Sequence, residues 1–256
     1  AASDVYKRQK VSTELYRLGT DGETWEMYQT LFSDENRIWV DIGDIPKYLQ
    51  DATIAIEDKR FETHHGVDWR GTLRAITRTL TGSGTQGGST ITQQVIKNLT
   101  GNDEVTPERK VQEIFTALKM EKNFSKEQIM ETYLNIAFFS NQCYGIQSAS
   151  KLYFNKDISE LNVAEAATLI AITNAPTKYN PLRMNANEDY GWRTGMEENK
   201  ERRDYILEEM YKLQMLTQSE YQKWLDYDVQ LAPRKDVEST SDGLTALTDW
   251  HTDQVI

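Results

Sequence analysis

The sequence predicts a mostly α-helical domain, and three observations carry that reading. Apolar residues recur at helical rather than alternating spacing, as in KYLQDATIAIED over residues 47–58. Capping signals open one segment after another along the chain. Alternating stretches of the kind a half-buried strand needs are few.

The elements follow in order. Residues 1–36 are mixed and polar, with short alternation from Val11 to Tyr16, and predict a lead-in with a strand or two. Pro46 suits a first helical turn ahead of 47–58. Asp68 can cap a helix through RGTLRAITRTL, which runs into the glycine-rich break TGSGTQGGST at 81–90. A helix follows from about Thr90 to Leu99. Thr106-Pro107 joins a capping hydroxyl to a proline at the first helical position. Ser125 with Gln128, Asn162 with Glu165 and Thr217 with Glu220 read as capping boxes. The division is a lead-in over 1–36, one core domain over 37–228, and a linker over 229–256 that includes APRKDVESTSDG.

Composition narrows the function. The chain has 256 residues, 38 % apolar and 27 % charged, which suits a globular body with its own core. Cys143 is the single cysteine, so no intrachain disulfide can form. A net charge of −11 argues against nucleic acid as a partner, and no basic stripe dominates. Contact with an anionic membrane surface would need a local basic face and exposed apolar side chains. No stretch has the apolar length of a membrane span, and no signal peptide stands at the start. The chain begins AASDVYKRQ without Met and reads as a fragment of a longer protein.

Three segments carry candidate chemistry. AIEDKRFETHHG (55–66) puts Glu57 behind Ile54, Ala55 and Ile56, so a partly desolvated carboxylate at a helix end could serve as a general base. QGGSTITQQVIKNL (86–99) permits close backbone approach at Gly87 and Gly88. Ser89 and Thr90 can cap the helix there, whose first N–H groups would face outward as an anion site. Lys97 shares a face with Gln93 and Gln94. PERKVQEI (107–114) gathers Arg109, Lys110 and Glu113 on one face. Base before acid is the poorer order for a helical pair, and cations oppose the dipole in a first turn, which points to an anionic ligand. Each segment also has a plainer reading as a charged helix end, a capped helix or a surface ion pair.

Together and in order the segments are specific. EDxxFxxHxG stands as Glu57, Asp58, Phe61, His64 and Gly66. GxSTxTQQ stands as Gly87, Ser89, Thr90, Thr92, Gln93 and Gln94, and RKxxE as Arg109, Lys110 and Glu113. KxxILxxYLN stands as Lys126, Ile129, Tyr133, Leu134 and Asn135, with Met130 where leucine is usual. RRxxVL stands as Arg202, Arg203 and Leu207, with Ile206 for valine. From about Arg37 to Leu225 the chain resembles the peptidoglycan glycosyltransferase domain of class A penicillin-binding proteins and monofunctional transglycosylases.

The resemblance implies a lysozyme-like, mostly α fold and processive polymerisation of lipid II into β-1,4-linked glycan, with inversion and release of undecaprenyl pyrophosphate. It makes Glu57 the general base and Glu113 the second catalytic glutamate, which could orient the basic residues, hold a metal or act near the leaving group. Asp58, Ser89, Thr90, Gln93, Gln94, Lys97, Arg109 and Lys110 become substrate-binding residues. Phe61, His64, Tyr133, Asn135, Arg202 and Arg203 become supports of the fold. No cofactor is obligatory, with room for a divalent cation, Mg or Mn. The implied partners are lipid II, the growing strand, the membrane surface, moenomycin-type inhibitors and the cell-wall synthesis machinery. The implied place is the outer face of the bacterial cytoplasmic membrane, with an N-terminal anchor helix outside this chain and a transpeptidase domain after the linker.

Two departures from the family pattern are Asp103-Glu104 near the expected pyrophosphate site and YFNK (153–156) for the commoner YFGK. A short Gly/Thr-rich loop over about 70–85 suits a mobile lid. Two rival readings are a lysozyme-like hydrolase, which has no use for paired cations, and a non-catalytic lipid II-binding module. A third, a penicillin-reactive serine enzyme, rests on Ser148 and Lys151 as an SxxK match, with neither SxN nor KTG in the chain.

Overall fold

A computed structural model describes residues 13–18, 25–31, 38–74, 88–101, 106–187 and 190–233. The lead-in forms one antiparallel hairpin of β1 (Thr13–Leu18) and β2 (Trp25–Leu31), with a register shift between Leu15 and Tyr16. The rest of the described chain is mostly helical, as the spacing predicts. Its helices are α1 (Lys47–Glu57), α2 (Ile91–Thr100), α3 (Pro107–Asn123), α4 (Lys126–Ile136), α5 (Ile146–Phe154), α6 (Val163–Asn174), α7 (Pro176–Tyr179), α8 (Gly195–Lys212) and α9 (Gln218–Leu225). Residues 69–74 are also helical. The acidic pair Asp103-Glu104 and most of the proposed lid lie outside the described residues, as does the linker beyond 233.

The predicted caps form. Thr106 accepts from the Arg109 N–H with Pro107 behind it, and the boxes at Ser125, Asn162 and Thr217 close in both directions. Asp68 caps 69–74 by accepting the Gly71 N–H. Pro46 sits just outside α1, at its N-cap, rather than in the first turn. A further box, Thr194 with Glu197, opens α8.

α6 is the centre. Every residue from Ala164 to Ile172 is buried, so this mostly apolar helix is buried all round instead of striped, with Glu165 and Thr168 bonded inside. α1 and α8 pack on it and on each other. On the other side α2 lies between α3 and α4. Segment 38–42 is strapped across α4 and α5 by side chains. Asn135 receives the Val40 N–H and donates back to its carbonyl, Glu131 receives the Ile42 N–H, and the Ser148 hydroxyl receives the Ile38 N–H. Asn135 therefore supports the fold, as expected.

Two backbone positions explain sequence features. Gly66 has φ +93°, and a Cβ there would sit 2.6 Å from the Ala117 carbonyl oxygen, so only glycine lets this loop lie on α3. Asn155 of YFNK ends α5 at φ 54°, a left-handed position that asparagine tolerates next best after glycine. Gly66→Ala should destabilise the domain by about 2 kcal/mol or more, since strain and overlap add. Urea unfolding at neutral pH measures this, and an unchanged midpoint would contradict the packing.

Candidate active site

α1 ends at Glu57, on the wall of a cleft of about 750 Å³. α2 supplies Gln94 and Lys97 to the same cleft, α3 supplies Arg109 and Glu113, and α8 supplies Arg202 and Tyr205. Glu57 is half-buried. Its Oε2 accepts a 2.8 Å hydrogen bond from the Gln94 amide, and its Oε1 lies 3.5 Å from the Thr173 hydroxyl. Beneath it, Tyr133 is buried, and its phenol is pushed well above the ordinary range by that burial and by the negative charge of Glu57.

Asp58 lines the same cleft, with its carboxylate tied to other groups. It is buried, and its Oδ2 accepts the Ile91 N–H at 3.1 Å and meets His64 Nε2 at 2.7 Å. His64 Nδ1 accepts the Gly66 N–H, so Nε2 carries the proton that Asp58 receives. A buried set continues behind. Glu121 accepts from Thr92 and from Lys126, and Lys126 lies 4.5 Å from the Phe61 ring centroid. His64 and Phe61 are therefore supports, as expected.

The cationic wall is organised by Glu113. Its Oε2 pairs with Arg109 at 3.1 Å, and its Oε1 with Lys110, which also donates to the Ser89 hydroxyl at 2.9 Å. Glu113 is buried, and two cations offset one carboxylate there. Lys97 is exposed on the cleft.

The outward anion site at the start of α2 does not form. Thr90, Ile91 and Gln93 are buried. The Ile91 N–H goes to Asp58, and Thr90 and Gln93 exchange backbone and side-chain bonds in a capping box. The Thr90 hydroxyl donates to the Gly66 carbonyl. The Thr90, Ile91 and Gln93 N–H groups are thus taken by protein acceptors, while Gly88, Ser89, Thr90 and Gln93 still line the cleft.

Sequence reasoning missed part of the cleft. Lys59, Arg74, Thr173, Asn174 and Arg202 all line it. Arg202 lies over the Tyr179 ring and is a wall residue, whereas the adjacent Arg203 is buried and binds the Leu225 and Tyr227 carbonyls as a support. Helical spacing of Arg202 with Tyr205 was the available signal. Lys59 pairs with Glu209, and burial, then the like charges of Lys212 and Arg74, hold its ammonium below the ordinary value. Ser148 is buried and accepts a backbone N–H, so the SxxK match has no exposed nucleophile.

Asp68 closes one edge by a two-point pair with Arg60, at 3.1 and 2.5 Å. Burial pushes its carboxyl up, but the Arg60 hydrogen bond, the Gly71 N–H and nearby positive charge outweigh it and leave the carboxyl below its usual value. A group depressed in this way stabilises above its unfolded value, and that contribution is lost as pH falls through the folded one. Asp68→Asn should therefore cost stability at neutral pH, and the gap to wild type should narrow as pH falls through the depressed folded-state value of Asp68. Thermal melts across pH check this, and a pH-independent gap would contradict it.

Comparison with known proteins gives the family of the chain. Residues 22–211 match the family described as Transglycosylase. Penicillin-binding protein 1F of Bacillus subtilis (strain 168) is 44 % identical over 174 residues, covering 68 % of this chain and 23 % of that protein. Penicillin-binding protein 1A of Neisseria cinerea is 40 % identical over 198 residues, covering 77 % and 23 %. A crystal structure of penicillin-binding protein 1A from Haemophilus influenzae aligns with 88 % of this chain and 22 % of that one, at TM-score 0.48 and 18 % identity. The chain thus spans about a quarter of the length of the relatives it matches. With a family match over most of its length, a half-buried glutamate in its cleft and a cationic wall beside it, this chain belongs to the transglycosylase family.

Proposed function

We propose that the domain is a peptidoglycan glycosyltransferase that polymerises lipid II, with Glu57 as general base. The observation that carries the proposal is the placement of Glu57 in one cleft with Lys97 and Arg109. A carboxylate beside cations suits a reaction in which a hydroxyl loses a proton while a pyrophosphate departs.

The 4-hydroxyl of the acceptor GlcNAc attacks C1 of the donor MurNAc. Glu57 takes the hydroxyl proton as the new C–O bond forms. The bond from C1 to the pyrophosphate oxygen breaks on the opposite face, and its electron pair leaves with undecaprenyl pyrophosphate. Attack from the opposite face inverts C1 and gives the β-1,4 link. Lys97 and Arg109 neutralise the charge that grows on the leaving pyrophosphate. Glu113 holds Arg109 and Lys110 in place, and both its oxygens are occupied in doing so. Among the described residues no group of three or more His, Cys, Asp or Glu gathers to hold a metal, and no step of this route passes through one.

The same reading places the domain at the outer face of the cytoplasmic membrane. Trp69 and Leu73 are 59 % and 64 % exposed, and Val111 and Phe115 on α3 are 51 % and 68 % exposed. The two segments are neighbours, because Val67 packs against Ala117 of α3. Arg70 and Arg74 flank the first pair. Exposed large apolar side chains beside arginines suit a lipid–water boundary, which is where a lipid-linked substrate presents its headgroup.

Incubation with labelled lipid II should yield polymer that moenomycin suppresses, and release of shorter fragments from peptidoglycan without polymer would favour a hydrolase. Lys97→Met should lower kcat/KM at least about tenfold through the lost pyrophosphate contact. Phe115→Ser with Leu73→Ser should weaken co-sedimentation with vesicles of anionic lipid, and unchanged sedimentation would remove this face from the account.

A further inference from the structure

α2 reaches the end of α1 through two polar links one helical turn apart. The Ile91 N–H is received by Asp58, and the Gln94 amide is donated to Glu57. Ile91 and Gln94 are three residues apart and so share a face of the helix. The first link is fixed in depth. Asp58 and Ile91 are buried, His64 holds the same carboxylate oxygen, and the Thr90–Gln93 capping box locks the turn. The second link ends on the residue that borders Asp58 in sequence. Thr173 stands on the other carboxylate oxygen, but its proton has a closer acceptor in the Ile170 carbonyl at 2.9 Å. The Gln94 amide is therefore the strong tether on Glu57.

We infer that Gln94 is a positioning residue for Glu57, setting the direction of its carboxylate, rather than a contact to the substrate. The inference rests on the glycosyltransferase reading above. A glutamate at a helix end has three side-chain torsions, and Glu57 is only partly buried on the cleft wall, so without a tether it samples several directions. A donated hydrogen bond to one oxygen leaves the other aimed at a proton in the cleft. The polar character of TITQQ has the same explanation. Thr92 serves Glu121, Gln93 serves the cap, and Gln94 serves the base.

The test compares the full chain with Gln94→Leu, which keeps the volume without a donor, and Gln94→Asn, which withdraws the amide by one methylene. Lipid II polymerisation gives kcat and KM, and a labelled lipid II titration gives affinity. The expected result is a fall in kcat of about tenfold or more in both variants, with KM and affinity within about twofold and an unchanged melting temperature. Weakened lipid II affinity with kcat preserved would overturn the inference and make Gln94 a substrate contact. Unchanged kinetics would also overturn it. If the wild type itself makes no polymer, the glycosyltransferase reading falls and takes this inference with it. If the wild type polymerises and the variants match it, this inference falls alone.

Discussion

The docking of α2 on the end of α1 is the constraint on which the cleft depends. A helix begins with N–H groups that have no partner inside it, and a buried start must find them elsewhere. Here the Asp58 carboxylate takes one, and the capping box takes others. Because Asp58 follows Glu57 directly, the bond that satisfies the helix also fixes where the glutamate leaves α1. Gly66 lets the intervening loop press on α3, and the His64 ring fills the gap between that loop and Asp58. The residues of the first two motifs thus bind one another while Glu57, Asp58, Ser89, Thr90, Gln93 and Gln94 line the cleft.

Charge is distributed unevenly for the same purpose. The chain as a whole carries −11, yet the cleft gathers Lys97, Arg109 and Arg202 about one glutamate and the buried Glu113. A local cationic surface in an acidic protein concentrates an anionic ligand at one place, while the bulk repels it elsewhere. Burying Glu113 costs desolvation, and Arg109 and Lys110 repay it by holding both oxygens. That carboxylate holds Arg109, which lines the cleft, and Lys110, which reaches Ser89, before any substrate arrives.

Much of this was legible in the sequence, and the remainder was hidden for physical reasons. The caps at Thr106, Ser125, Asn162 and Thr217 were legible because capping is local, decided within four residues. The shared face of Arg109, Lys110 and Glu113 was legible from helical spacing. The outward N–H groups at Thr90 were misjudged, because the acceptor that uses them, Asp58, is 33 residues away from Ile91. Arg202 read as a support beside Arg203, and only the tertiary packing of α8 separates a wall residue from a buried one. Thr173 carried no signal at all, since its place beside Glu57 comes from α6 packing against α1.

The central claim is that Glu57 takes a proton during polymerisation and that the rest of the cleft is arranged about it. The most direct measurement replaces it by Glu57→Gln, which keeps shape and hydrogen bonding but cannot accept the proton. Polymer formation from lipid II, followed in purified protein whose melting temperature and lipid II affinity match the wild type, should fall by about a hundredfold or more. Polymerisation at the wild-type rate in that variant would contradict the account.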